Sequence, residues 1–334
     1  MSAAGAQSAA GDVTAKTAAP LWRRAIPYVG TLAIFALIFW RIPLGKVGDA
    51  LKDIPVFKFI AMFLPYSLYF FLIDSFCLTW VVRRFNAPLS FGEILPIRAS
   101  MYLLAMINTN LGQGGVAYYL YRKAKIGFLG ALSSILFIAL LEVYQLFLFS
   151  TVGVLFYSPT DATQARIIGV LRIVYVAAWL LLAGIIAFFA MARRSDRIRA
   201  WAENSKAGPV LATFLAAKPL DYLIVLAIKA PTFLGSVVAQ FFALALYGIS
   251  IPFLKLMLFL PLVFLAAALP ISVAHLGTSQ AAWLLFFSGN AAAARILAYS
   301  LAAHFTFMFC NGLIGLCFLP RATRELTAVE ETAA

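Results

Sequence analysis

Histidine, cysteine and acidic residues are all scarce in this chain of 334 residues, which has two His, three Cys and thirteen Asp plus Glu. His275 and His304 stand in separate apolar segments, with no HExxH and no paired Asp-rich sequence. Metal-assisted hydrolysis and prenyl transfer need such ligand clusters, so their absence argues against both. The chain also lacks a Ser-His-Asp set and the Gly-rich loop of an ATPase, which argues against acyl transfer and ATP hydrolysis. Cys77, Cys310 and Cys317 have neither CxxC spacing nor His partners, and read as small core residues rather than disulfides or metal ligands. No enzyme activity, cofactor or metal is expected.

Charge is scarce as well. Only 12% of the residues are charged against 63% hydrophobic, and mean hydropathy is +0.95. A soluble domain needs more polar surface than that to meet water. Several runs approach the roughly 20 apolar residues that cross a bilayer as a helix, so the chain reads as an all-α polytopic membrane protein. The net charge of +13 sits in clusters beside the apolar runs. That placement is the signature of membrane orientation and of attraction to anionic lipid, not of a nucleic-acid partner.

Residues 1–24 form the expected disordered cytoplasmic tail, poor in anything that could build a core. Spanning helices are expected over 25–40, 57–82, 128–156, 167–191, 222–247 and 296–319, with 321–334 as a second cytoplasmic tail. Leu44, Val47, Leu51 and Ile54 share one helical face, which predicts an interfacial helix after the first span. Two further stretches are too short to cross and are broken by glycine. One is 94–107 followed by a break at 108–115 and a short run at 116–121; the other is 256–287, with its break near 270–277.

These two stretches repeat each other at an offset of 165 residues. Leu95-Pro96 recurs as Leu260-Pro261, Leu104 as Leu269, and Leu111-Gly112 as Leu276-Gly277. The chain therefore divides into membrane repeats at 25–160 and 161–320, each with three spanning helices and one re-entrant hairpin. If both hairpins return to the side they entered from, fifteen Lys and Arg clustered at 16–24, 83–84, 122–125, 193–206 and 321–324 share one face. Seven (Arg41, Lys46, Lys52, Lys58, Arg166, Lys255 and Arg295) take the other. The imbalance places both termini in the cytoplasm, with the inner (plasma) membrane as location. Three spans per repeat is an odd number, so the second repeat is inverted and the hairpin tips meet near the midplane.

Asp74, Arg98, Glu142 and Lys229 are charges placed deep inside apolar segments. An ionised group there is costly unless paired, solvated or neutralised. Structural ion pairs that lock helices are one reading. The other is a hydrated cavity in which a polar head group or a proton moves, with Asp74, Glu142 and His304 as proton-coupling candidates. Gly112, Gln113, Gly114 and Gly115 precede a short helix, whose free amides would hold a phosphate or carboxylate; a tight turn is the alternative. Asn110, His275 and Gly277 occupy matching positions around the two breaks and complete the set of substrate-binding candidates with Arg98, Glu142 and Lys229.

At its two broken segments the chain resembles the transmembrane region of lysylphosphatidylglycerol synthases and the wider group of stand-alone, flippase-like membrane proteins. The second signature of that family reads approximately Leu-Pro-Ile-Ser-x-Gly-Gly-Leu-Gly-x-x-acid. Leu269-Pro270-Ile271-Ser272 and Leu276-Gly277 match it, while Ala274-His275 replace the paired glycine and Gln280 replaces the acid. The first signature, a glycine cluster before a short helix ending in basic residues, is met by Gly112, Gly114, Gly115 and Arg122. Glu142 matches an acid of the following helix, without the arginine that often neighbours it. The likeness covers about Phe57 to Leu319 and implies the stand-alone form, without an aminoacyl-transferase domain. It implies a protein that moves or binds an amphipathic, anionic lipid between leaflets, either a phospholipid or a polyprenyl lipid. A secondary transporter of a small polar solute and a membrane subunit partnering a lipid-modifying enzyme are the competing expectations.

Overall fold

The computed structural model describes residues 21–107, 109–159, 162–205, 208–268 and 276–331, and every regular element among them is helical. The first half comprises α1 (Leu21–Arg41), α2 (Leu44–Lys52), α3 (Val56–Phe85), α4 (Phe91–Ile107), α5 (Thr109–Ala124) and α6 (Phe128–Phe156). The second comprises α7 (Ala162–Ala192), α8 (Asp196–Asn204), α9 (Gly208–Ala216), α10 (Pro219–Leu246), α11 (Phe253–Ala267), α12 (Thr278–Phe287) and α13 (Ala293–Glu331). Among the described residues five helices are long and apolar enough to cross a membrane: Val56–Phe85, Phe128–Phe156, Ala165–Ala192, Pro219–Leu246 and Ala293–Glu325. A sixth crossing is available only from a bent pair, α1 and α2, which meet at 90°. The bend falls where Pro43 ends one helix and admits the next. α2 buries Val47 and Ala50, while Leu44 on the expected apolar face stays exposed. α7 carries Ile173, Leu180 and Leu181 on its outside, an apolar surface suited to lipid.

The helix packing follows an exchange rule. Shifting by 165 residues takes α2 through α6 onto α9 through α13; α6 starts at Phe128 and α13 at Ala293. Under that shift the packed pairs swap partners. α4 packs on α13 as α11 packs on α6, α13 on α2 as α6 on α9, and α4 on α5 as α11 on α12. α3 packs on its own counterpart α10. Glycines permit the closest of these approaches. A Cβ on Gly153 would stand 2.6 Å from Leu258 Cα, and one on Gly315 would stand 2.9 Å from Ala99 O.

Named side chains tie the helix ends together. Arg84 Nε lies 3.2 Å from Asp221 Oδ1, joining the end of α3 to the start of α10. Glu325 of α13 accepts from Tyr119 at 2.9 Å and Lys123 at 2.5 Å, both on α5, and Arg321 donates to Gly92 O of α4 at 3.1 Å. The start of α4 and the end of α5 are therefore neighbours, at the end of the bundle where α13 finishes. On α11 and α12 the ties involve the opposite ends of α10 and α13. Lys255 donates to Asn290 at 2.8 Å, Asn290 to Ser250 O at 3.3 Å, and Arg295 to Tyr247 O at 2.5 Å. α9 is docked on α6 by buried hydroxyls: Ser133 Oγ accepts from Thr213 N at 2.9 Å, and Ser134 Oγ lies 2.9 Å from Thr213 Oγ1.

Three segments differ from the sequence reading. The break expected over 108–115 is confined to a much shorter interval, because α5 already starts at Thr109 and carries Gly112–Gly115 within it. Gly112 and Gly115 have a role inside this helix, because tight packing of α5 on α4 needs them small. α13 runs to Glu331, beyond the expected start of a tail at 321, and Pro320 sits inside it. Its last turns are held by burial of Ala322 and by the Glu325 contacts. α8, which was not anticipated, forms within the basic loop after α7. Of the tail expected over 1–24, residues 21–24 instead belong to the first turn of α1, while residues 1–20 and the motif residues Leu269 to His275 lie outside the described residues.

Candidate functional site

Four spanning or half-length helices each deliver one charge to the same place. α3 brings Asp74, α4 Arg98, α6 Glu142 and α10 Lys229. Lys229 Nζ lies 2.6 Å from Asp74 Oδ1 and 2.5 Å from Glu142 Oε1, and Arg98 Nε donates to the other Asp74 oxygen. Two cations and two anions make the group neutral. Lys229 and Asp74 are 1% and 3% exposed, whereas the Glu142 side chain keeps 34% of its surface open. Lys229 also lies under the Phe70 ring at 5.7 Å, and Arg98 under the Tyr102 ring at 5.6 Å. These aromatic faces take up cationic charge that water would otherwise solvate.

The backbone of α10 is fixed at the same level. Lys229 O accepts from Gln145 Nε2 of α6 and from Thr232 Oγ1 at 2.6 Å. Pro231 cannot donate to the helix ladder, and its carbonyl accepts from Tyr69 of α3 at 3.0 Å. The quartet is thus a buried tie between α3, α4, α6 and α10. Beside it, Asp74, Arg98, Gln113, Ala139 and Glu142 line a cavity of about 10 Å³, room for roughly one water molecule and no more.

A second cavity, of about 340 Å³, opens between α3, α4 and α10 to α13. That volume lies in the range of roughly 300–1,000 Å³ typical of small-molecule pockets. Its walls are mostly aromatic: Phe63, Tyr66, Phe70, Phe264, Trp283 and Phe307. Tyr66 and Phe307 stack at 5.4 Å. Ser236, Gln240, Ser279, Ser300, His304 and Asn311 place a few polar groups among them. The Asn311 side-chain oxygen is buried and has no hydrogen-bond partner among the described residues. Ala105 and Met106, in the last turn of α4, line this cavity together with Ala267 and Ser279, which flank the second break. Phe70 belongs to both places, with Lys229 near its ring and the larger cavity lined by it.

The linings of the two cavities correspond in part under the 165-residue shift, although the large one is also walled by Phe63, Tyr66 and Phe70 of the first half. Arg98, Ile135, Ile138, Ala139 and Glu142 line the small one. The residues 165 further on, Val263, Ser300, Ala303, His304 and Phe307, line the large one. Where the first half has an ion-paired acid and base, the second has a phenylalanine and a valine. The first is small and lined by charges, and the second is spacious and lacks them.

The candidate residues therefore separate into several roles. Asp74, Arg98, Glu142 and Lys229 come together, with Gln113 beside them. His304 lines the larger cavity instead. Gly112 and Gly115 serve close packing of α5 on α4: a Cβ on Gly112 would stand 2.8 Å from Ala105 Cβ, and one on Gly115 would overlap Met101 Sδ. The amides of Gln113, Gly114 and Gly115 belong to a helix already under way, so they do not form the anion cradle expected at a helix start. Gly114 meets nothing within 4 Å. Gly277 has φ +93, which favours glycine. It caps α12, its N–H donating to Gln280 Oε1 at 2.7 Å, so Gln280 closes a helix end. The Asn110 side chain and all of His275 lie outside the described residues. Among the described residues no three His, Cys, Asp or Glu side chains gather as a metal site.

Ser236, Gln240, Trp283 and Asn311 were not anticipated. Ser236 and Gln240 are four residues apart on α10, and Ser300, His304, Phe307 and Asn311 recur at helical spacing on α13. A polar stripe within an apolar helix is the signal that marks such positions. No family model, curated protein or solved structure matches this chain. The functional reading rests on its own residues.

Proposed function

We propose that this membrane protein binds an amphipathic, anionic lipid and moves it between leaflets by alternate opening of its two repeat-related cavities. The observation that carries the proposal is the partial correspondence of those cavities, one spacious and aromatic, the other small and lined by Asp74, Arg98 and Glu142. A binding place that is duplicated and occupied unequally is what an inverted-repeat carrier needs for alternating access. α4 with α5 opens at one end of the bundle and α11 with α12 ties into the opposite end, which supports two re-entrant hairpins of opposite sense. The basic residues Arg84, Lys123, Arg193 and Arg321 then face the cytoplasm at the inner membrane, with both termini on that side. The resemblance to flippase-like proteins points the same way.

In this scheme the larger cavity accepts the apolar chain, with the Asn311 oxygen and the serine hydroxyls near the polar end. Opening of the quartet would free Arg98 and Lys229 to face a phosphate, an anion that guanidinium and ammonium groups hold by charge-assisted hydrogen bonds. Glu142, with a third of its side chain open, is the carboxylate placed to take a proton as Lys229 leaves it. The aromatic lining disfavours a small polar solute as cargo.

Purified protein in liposomes carrying a fluorescent phosphatidylglycerol tests this directly. Translocation to the outer leaflet should accelerate over protein-free vesicles, and Glu142→Gln should alter its dependence on a pH gradient. No acceleration by the native protein would refute the carrier reading.

A further inference from the structure

Away from the quartet and both cavities, the basic end of the bundle contains a groove that the carrier reading does not use. It lies between the end of α7, α8 and α9 and has a volume of about 610 Å³. Arg193 and Arg199 line it, and Gly208, Pro209, Ala212 and Leu215 form its small apolar wall. Arg193 is positioned by a hydrogen bond to Ala217 O, which anchors its guanidinium at the junction with α9.

The surroundings set the depth of this groove in a bilayer. Ala192 ends a helix apolar enough to span, and Arg193 follows it immediately. α8 is strongly amphipathic in sequence, with Arg197 and Arg199 exposed on it and Trp201 64% exposed. Tryptophan beside arginine at the end of a span is the composition of the membrane–water interface. Asp196 is the acidic residue in the first turn of α8, where it complements the helix dipole.

We propose that this groove is a binding site for the phosphate of an anionic phospholipid in the adjoining leaflet. The two guanidiniums, each a planar fork of donors, bind the phosphodiester oxygens. Pro209, Ala212 and Leu215 meet the glycerol and upper chain. Basic pockets of this kind, between helices at the interfacial level, are suited to lipid head groups. The site is independent of transport: it anchors the α7–α9 corner to charged membrane, and none of its residues belongs to the quartet or to either cavity.

Native mass spectrometry of the detergent-solubilised protein tests this, with phosphatidylglycerol and phosphatidylcholine of identical chains as probes. The native protein should retain phosphatidylglycerol over phosphatidylcholine by about tenfold, because both present the same phosphodiester but the choline cation is repelled by the two guanidiniums. Arg199→Gln should bring retention close to parity, Arg199→Lys should preserve most of the preference, and both variants should elute as the native protein does. Arg193→Gln, which keeps a donor for Ala217 O, should weaken the preference without loss of folding. Inorganic phosphate in the millimolar range should compete with the lipid. Equal retention of the two lipids by the native protein, or an unchanged preference in the Arg193→Gln, Arg199→Gln double variant, would overturn the proposal. So would binding of inorganic phosphate without enrichment of phosphatidylglycerol.

Discussion

Lys229 Nζ lies 2.6 Å from Asp74 Oδ1, joining α10 to α3 where neither side chain reaches the surface. Removing one partner of a buried ion pair leaves an uncompensated charge in a poorly polarisable place, which costs about 3–5 kcal/mol. Lys229→Met should therefore destabilise the protein by that amount in denaturant or thermal unfolding in detergent. Glu142→Gln should cost less than Lys229→Met, because Lys229 keeps Asp74 as its partner and the Glu142 side chain is itself a third exposed. Similar losses for the two variants would mean that Glu142 holds the helices together as firmly as Asp74 does.

The glycines of α5 and α6 should differ sharply in tolerance. Gly153→Ala pushes a methyl group against Leu258 and should destabilise by about 1–3 kcal/mol through overpacking. Gly114→Ala meets nothing within 4 Å and should be stabilising by up to about 1 kcal/mol, since alanine is the better helix former. Unfolding midpoints of the two single variants decide the matter. A loss at Gly114 would show that a ligand or another state of the protein needs its bare backbone.

The paired cavities make a third contrast. Ala303→Ile installs in the second half the residue that the first half carries at the equivalent Ile138, and the cavity of about 340 Å³ has room for it. Stability should hold while liposome translocation slows about tenfold or more. Ala139→Leu points into a space of about 10 Å³ and should instead destabilise by about 1–3 kcal/mol. Unimpaired translocation by Ala303→Ile would remove the larger cavity from the transport path.

Glu325 gathers Tyr119, Lys123 and Arg321, and so clamps the open end of the α4–α5 pair to α13. Glu325→Ala should raise amide hydrogen exchange at 91–95 and 119–124 while leaving α10 protected. Exchange unchanged at those positions would mean that packing alone holds the pair closed.

Near the same end, Glu93 accepts hydrogen bonds from Ser90 N at 2.8 Å and Ser90 Oγ at 2.7 Å. The backbone bond, with the hydroxyl, holds its carboxyl below the usual carboxylate range. A depressed folded pKa contributes stability that is present above the unfolded value, about 4.3, and lost as pH falls through the folded one. Native protein and Glu93→Gln should therefore differ in unfolding temperature at neutral pH and converge only in acid below the depressed folded value. A difference that persists in acid would assign it to helix capping by either side chain, independent of charge.

Legibility in the sequence followed the physics of each feature. The apolar runs were long enough that only a bilayer could solvate them, so 128–156 and 222–247 were recovered almost to the residue as α6 and α10. The pairing of Asp74 and Glu142 with Arg98 and Lys229 was likewise foreseeable, because four charges in an apolar interior have few other partners. Gly112–Gly115 misled because glycine serves two purposes, the free backbone of a turn and the close approach of helices. The string of letters does not distinguish them; Ala105 and Met101 across the gap do. The end of α13 was missed because Arg321 and Arg324 read as a stop at the membrane edge, whereas Glu325 finds Lys123 and Tyr119 about two hundred residues away.

Composition and periodicity alone determined that the chain is helical, with helices long and apolar enough to cross a membrane, because hydrophobic run length is a property of the sequence. Only the tertiary structure decided that charges line one small cavity while its partial counterpart is spacious and lacks them. Which helix faces share a space depends on the packing of segments far apart in the chain, and a 165-residue offset relates positions without saying what fills the volume between them.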